Sequence, residues 1–157
     1  MRRAMTILVM LGVVAVHAAS AQQPATTDPV RAAAFAPALR IAIDSARRLE
    51  SGAYVLDLAV GAGAALDAER PVMLQFAVWL PNGTQIQALT SPAELSLGSG
   101  VLLQGVELAM AGMKVGGRRR VILPPSLAYG SQPTGPIPAN SVLIIDVTLV
   151  AQGPGSW

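Results

Sequence analysis

The tetrapeptide Pro81-Asn82-Gly83-Thr84 constrains this chain most, because it separates two apolar runs that must double back on each other. Asn-Gly tolerates the positive φ angles of a tight reversal, which predicts a hairpin of Val72 to Leu80 with Thr84 to Ala88. Tyr54 to Val60, Ala93 to Leu97, Arg118 to Leu123 and Ser141 to Val150 read as further strands, set off by glycine- or proline-rich breaks. Between them, Leu102 to Met113 places Val106, Ala109, Met110 and Met113 on one helical face. There is no βαβ alternation. The pattern predicts an α+β domain, a five- or six-stranded antiparallel half-barrel sheet wrapped around one short helix. An N-terminal helix is also predicted within Val30 to Glu50. There Leu39, Ile41, Ala42, Ile43, Ala46 and Leu49 fit the helical period, with Arg40, Arg47 and Arg48 between them. Pro37 starts or interrupts that helix, and Ser51-Gly52 ends it.

The first 21 residues have the makeup of a secretory signal peptide. Arg2 and Arg3 precede the apolar run Met5 to Val16, and Ala19-Ser20-Ala21 offers a small-x-small cleavage site before Gln22. The alternative is an uncleaved membrane anchor, for which the run is short. Cleavage predicts a periplasmic or secreted protein with no membrane association once the signal is gone. Gln22 to Pro29 then forms a flexible polar leader, residues 51–152 the main domain, and residues 153–157 a tail.

Charge and missing residue types narrow the chemistry. Two of the 11 Lys and Arg residues lie in the signal, leaving nine bases against nine acids, so the basic balance is no nucleic-acid signature. Arg118-Arg119-Arg120 is a local patch, expected to be a solvated strand edge. No cysteine is present, so there is no thiol nucleophile, disulfide or thiolate metal site. The single histidine, His17, falls in the signal, which removes a Ser-His-Asp mechanism and histidine metal ligation. The carboxylates are scattered; Asp67-Ala68-Glu69-Arg70 reads as a polar turn. Gly61-Ala62-Gly63-Ala64 lacks the Gly-Lys-Ser/Thr element of a phosphate loop. No metal and no cofactor are expected.

Several motifs recur in order from Ser51 to Gln152. They are Trp79-Leu80-Pro81-Asn82-Gly83-Thr84, Leu102-Leu103-Gln104-Gly105-Val106-Glu107, Met113-Lys114-Val115-Gly116-Gly117, Leu123-Pro124-Pro125 through Ala128-Tyr129-Gly130, Ile137-Pro138-Ala139-Asn140, and Leu143-Ile144-Ile145-Asp146-Val147. Taken together this series resembles the FK506-binding-protein family of peptidyl-prolyl cis-trans isomerases, with a lead-in at Ser51-Gly52-Ala53-Tyr54 similar to that of bacterial secreted members. The resemblance implies a half-open antiparallel sheet curled over a helix, with an apolar pocket between them that takes proline-containing polypeptides. It implies that Tyr129 points its hydroxyl into that pocket to hold a substrate carbonyl, with the proline-rich loop forming one rim. It assigns catalysis to Tyr129 and Phe76, and substrate contact to Ile86, Gln87, Leu102, Leu103, Val106, Ile137 and Ile145.

The chain departs from the family at this pocket. Phe76 stands where the family has tyrosine, Ile86 and Ile145 stand for phenylalanines, Gln87 for an aspartate, and Val106 for the tryptophan that floors the pocket. Ala93 lies near another phenylalanine position. A floor reduced from tryptophan to valine calls for refilling by neighbouring leucines, Met110 or Met113. Weak macrolide binding and slower isomerisation follow. Trp79, within the hairpin motif, is expected to pack structurally.

Two functions follow from the resemblance. One is a monomeric peptidyl-prolyl isomerase that assists folding of exported proteins; the other is a non-catalytic, chaperone-like peptide-binding module on the same fold. Tyr129, the Ile-Pro loop and the apolar lining favour the first, and the missing aromatics favour the second.

Overall fold

The computed structural model describes residues 27–154; the expected signal peptide, most of the leader and the last residues of the tail lie outside them. Six strands form one sheet: β1 (Arg47–Arg48), β2 (Tyr54–Ala59), β3 (Val72–Trp79), β4 (Gln85–Leu95), β5 (Arg118–Leu123) and β6 (Leu143–Gln152). Their order across the sheet is β1-β2-β5-β6-β3-β4, and every adjacent pair is antiparallel. The helix α2 (Gln104–Met110) lies against the concave face. Both the fold class and the strand number agree with the sequence pattern.

The hairpin reverses by a different geometry from the one Asn-Gly first suggests. Only Gly83 has positive φ (+89°), the Gly83 N–H donates to Leu80 O (2.9 Å), and the Thr84 N–H donates to the Asn82 side chain (2.9 Å). Asn82 therefore acts through its side chain, as short polar residues do in turns. Thr84 to Leu97, expected as two strands, contains the single strand β4. Its pairing with β3 slips between Leu74 and Phe76 on β3, opposite Leu89 and Ala93, and Pro92 sits inside that bulge. A proline has no N–H for the ladder, and an edge strand with a bulge is where it is tolerated.

The apolar start of β6, Leu143-Ile144-Ile145, has a physical reason. An antiparallel strand with one wet face alternates apolar and polar residues, as β6 does from Asp146 to Leu149, but both faces of its start are covered. Leu143, Ile145, Val147 and Leu149 pack with Val106, Ala109, Met110 and Met113 on the concave side. Val142 and Ile144 pack on the convex side with Val30, Leu39, Tyr54 and Ile122.

The convex cover replaces the expected N-terminal helix. Residues 30–50 hold only the end of a four-residue helix, α1 (Pro29–Ala32), then single 3-10 turns at Pro37–Leu39 and Ile43–Ser45, and then β1. Pro37 begins a turn rather than a helix, and Arg40 adopts φ 48°, which breaks any continuation. The apolar spacing was real, but it serves an irregular strap laid over the sheet. Asp28 anchors the strap. Its side chain accepts from the Val30 N–H (3.0 Å) and the Tyr54 hydroxyl (2.7 Å) and pairs with Arg48 (3.2 Å). Burial by itself would push this carboxyl up, but the Tyr54 hydroxyl, the Val30 and Arg31 N–H groups and Arg48 outweigh it and hold it below its usual 3.8.

The arginine patch is likewise no solvated edge, because β5 is an inner strand between β2 and β6. Arg120 grips buried Asp146 with two bonds, Nε to Oδ1 (2.6 Å) and Nη2 to Oδ2 (2.8 Å), while Arg118 reaches Oδ2 at 3.0 Å. Asp146 is 4 % exposed, so this paired, bidentate geometry is what makes its charge tolerable. Arg119 points the other way, toward α2, and is 6 % exposed.

Candidate functional site

Between α2 and the concave sheet opens a cavity of about 70 Å³. Phe76 and Val78 come from β3, Ile86 and Gln87 from β4, Leu143, Ile145 and Val147 from β6, Leu102, Leu103 and Val106 from α2 and its approach, and Tyr129 and Ile137 from the loop after β5. All nine residues singled out by the sequence resemblance, Phe76, Ile86, Gln87, Leu102, Leu103, Val106, Tyr129, Ile137 and Ile145, lie on this one cavity. Val78, Leu143 and Val147 were missed. The signal for them was present: strand side chains alternate, so residues two away from Phe76 and Ile145 face the same side.

Alternation alone would have separated Ile86 from Gln87. The β3–β4 register runs Val78 opposite Gln87 and then Trp79 opposite Gln85, which leaves Ile86 as the extra residue of a bulge. That irregularity lets two consecutive side chains share the cavity wall. Ala93 pairs with Leu74 and is absent from the cavity lining. Trp79 packs on the convex side beneath the strap, the structural role expected of it.

The floor is aliphatic. Val106 is 2 % exposed and shares the lining with Leu102, Leu103 and Leu143. Met110 and Met113 are buried in the core beyond it and do not line the cavity, so leucines do the refilling. Gly105 lets α2 come this close to the sheet: a Cβ there would lie 2.7 Å from Leu123 Cδ2 and 3.0 Å from Leu127 Cβ.

Tyr129 is carried by a loop whose conformation is fixed at several points. Pro125 O accepts from the N–H of Ala128 (3.0 Å) and of Gly130 (2.8 Å), closing a turn immediately around the tyrosine. The Asn140 N–H donates to Gly130 O (2.7 Å) and draws the two ends of the loop together. Thr134 and Ile137 exchange two bonds of 2.9 and 3.0 Å around Gly135-Pro136, which presents Ile137 to the cavity. Prolines within the loop restrict φ further. Tyr129 is 39 % exposed and lines the cavity, and its hydroxyl bonds to no other described residue.

Gln87 is the only other lining residue with a polar side chain; none of the twelve is Asp, Glu, His, Lys or Arg. Such a site cannot perform general acid–base chemistry with carboxylate or imidazole. What it offers is a low-dielectric wall, a phenolic hydroxyl and an amide. Among the described residues no cluster of three or more His, Cys, Asp or Glu side chains is placed to hold a metal, and no helix is long and apolar enough to cross a membrane.

Comparison with known proteins gives this architecture its relatives. FK506-binding protein 3 of Candida albicans is 39 % identical over 107 residues, 67 % of this chain and 25 % of its own length. A peptidyl-prolyl cis-trans isomerase of Saccharomyces cerevisiae is 39 % identical over 105 residues, 66 % of this chain and 26 % of its own. This chain thus spans about a quarter of the length of these curated relatives. The solved structure of a peptidyl-prolyl cis-trans isomerase from Pseudomonas syringae pv. tomato superposes with a TM-score of 0.65 at 24 % identity, over 80 % of this chain and 89 % of that one, a likeness of fold. The family model described as FKBP-type peptidyl-prolyl cis-trans isomerase matches residues 64–150, from just after β2 to the eighth residue of β6. With more than half its length under that match and its cavity where sheet, helix and tyrosine loop converge, the chain belongs to the FKBP-type peptidyl-prolyl cis-trans isomerase family.

Proposed function

We propose that this protein catalyses cis–trans rotation of X–Pro bonds in polypeptides. The observation that carries the reading is a cavity with no Asp, Glu, His, Lys or Arg in its lining and with the partly exposed Tyr129 among the residues that form it. A planar amide owes its barrier of roughly 18–20 kcal/mol to resonance, which places negative charge on oxygen and positive charge on nitrogen. Twisting the bond removes that charge separation, so the transition state is less polar than either planar form. An apolar cavity stabilises the twisted amide relative to the planar one, which is the differential binding that catalysis requires. The prolyl ring enters among Phe76, Val106 and Ile145, and the Tyr129 hydroxyl donates to a substrate carbonyl and fixes its orientation. No proton changes hands, which suits a lining without an acid or base. Each tenfold gain in rate takes about 1.4 kcal/mol, within reach of such contacts.

The proposed setting is export. Arg2-Arg3, the apolar run Met5 to Val16 and Ala19-Ser20-Ala21 support a cleaved signal, a periplasmic or secreted protein and exported polypeptides as clients, while the stretch Val30 to Glu50, too short for a dimerisation domain, supports a monomer. A protease-coupled assay on short X-Pro-Phe peptides tests the activity. Acceleration at micromolar protein, falling about tenfold in Tyr129→Phe as one substrate hydrogen bond is lost, is the expected result. A folded protein that gives no acceleration leaves only the peptide-binding alternative, and undiminished activity in Tyr129→Phe ends the role of the hydroxyl.

A further inference from the structure

We propose that Arg119 is a positioning residue for the cavity, fixing α2 so that Leu102, Leu103 and Val106 form its floor; this rests on the isomerase reading for its kinetic consequences but not for its structural ones. The seven residues of α2 are too few for a helix to hold its place by itself. Its N-cap, Leu103, makes no side-chain capping bond, and its last turn contains no basic residue. The helix end therefore lacks the cation that ordinarily faces its exposed carbonyls. Arg119 brings one from the sheet. Its Nη1 donates to Ala109 O (2.7 Å) and Ala111 O (2.9 Å), while its Nε is held by the Asp57 carboxylate on the neighbouring strand β2. Arg119 and Asp57 stand opposite each other in the β2–β5 register, so the ladder itself orients the guanidinium.

At the other end of α2, Gly105 rests against Leu123 and Leu127. The helix is thus fixed at two points along β5 and its following turn: Leu123 at one end and Arg119 at the other. Val106 lies between these fixings, and Leu127 stands two residues before Tyr129. Releasing the Arg119 end lets α2 shift as a rigid body over Leu123 and Leu127, which moves Leu102, Leu103 and Val106 together and takes the floor out of register with the tyrosine. Arg119 touches no substrate in this scheme. It acts through the carbonyls of α2, and a lysine, with a single point charge, cannot serve Asp57 and both carbonyls from one planar group.

The test uses the full mature chain as wild type, Arg119→Met and Asp57→Ala, each with urea unfolding and methyl NMR of the valine and leucine side chains. Kinetics are read at a temperature within the folded baseline. A displaced floor loosens the bound peptide and also forfeits part of the stabilisation of the twisted amide, so KM rises about five- to tenfold in Arg119→Met and kcat falls with it. Partial unfolding alone would lower apparent kcat but leave KM unchanged. The Val106, Leu102 and Leu103 methyl resonances are expected to shift, with those of Leu74 and Leu149 staying in place. If Arg119→Met does not fold, Asp57→Ala, which spares the buried arginine, decides by the same measurements with a KM rise of a few-fold. If wild type shows no isomerase activity, the methyl shifts alone decide. Folded variants with KM within twofold of wild type and unmoved Val106 methyls would overturn the proposal.

Discussion

Gly105→Ala is the substitution whose outcome the packing of α2 fixes best. Away from tertiary contacts, alanine in place of a helical glycine stabilises by about 0.5–1 kcal/mol. At Gly105 the added methyl would stand 2.7 Å from Leu123 Cδ2, 3.0 Å from Leu127 Cβ and 3.1 Å from Leu127 O. Leu123 is fully buried, and the two Leu127 atoms belong to or adjoin the backbone. Overpacking of this kind costs about 1–3 kcal/mol, and three contacts this short put Gly105→Ala in the upper part of that range, about 2–3 kcal/mol. Subtracting the helix gain leaves a net loss of about 1–2.5 kcal/mol, which lowers Tm by roughly 4–10 °C for a domain of this size. Urea unfolding with unchanged m-value measures it directly. Activity should fall as well, because relief of the clash moves Leu127 and with it the turn that carries Tyr129. A Gly105→Ala protein as stable as wild type, or more so, would show that α2 is not held at the distance described.

Asp146→Ala should cost about 3 kcal/mol by chemical denaturation, because Arg120 remains largely buried with its bidentate partner gone; a loss under 1 kcal/mol would contradict that pairing. Gly83→Ala forces a methyl residue to φ +89° and toward Ala36 Cβ at 3.2 Å, and should cost about 1–2 kcal/mol in the same measurement. Asp28 has a depressed folded pKa, so its stabilising contribution is complete above the ordinary carboxyl value of 3.8 and is lost as pH falls through the folded value. Thermal melts from pH 6 down to pH 2 should therefore show a steeper decline below about pH 4 for wild type than for Asp28→Asn, and superimposable profiles would remove the anchor role of Asp28.

Local chemistry was legible where it worked through nearest neighbours. The Asn82-Gly83 turn, the apolar runs on either side of it and the breaks around each strand are short-range signals, and they were enough for the antiparallel sheet. The cavity residues were legible for a different reason: their motifs follow one another in a fixed order, and the fold closes that order into one lining. What periodicity could not distinguish was a helix from a strap. Leu39, Ile41 and Ile43 bury apolar surface without a continuous α-helix, because the face they cover was already built by Tyr54, Ile122 and Ile144. The arginines misled by charge alone. Nothing along Arg118-Arg119-Arg120 tells that β5 is internal; that depends on β2 and β6 flanking it, and on Asp57 and Asp146 arriving from distant positions to neutralise it. The nine acids seemed scattered along the chain, yet two of them are assembled by the ladder.

The strap also redraws where this protein begins as a portable unit. A gene fragment opened at Ser51 would encode every strand of the ladder except the two-residue β1, yet would strip the oily back of the sheet and take both Asp28 and Arg31 from the Tyr54 phenol. Such a fragment should clump on expression, whereas one opened just ahead of Asp28 carries its own cover and should stay in solution.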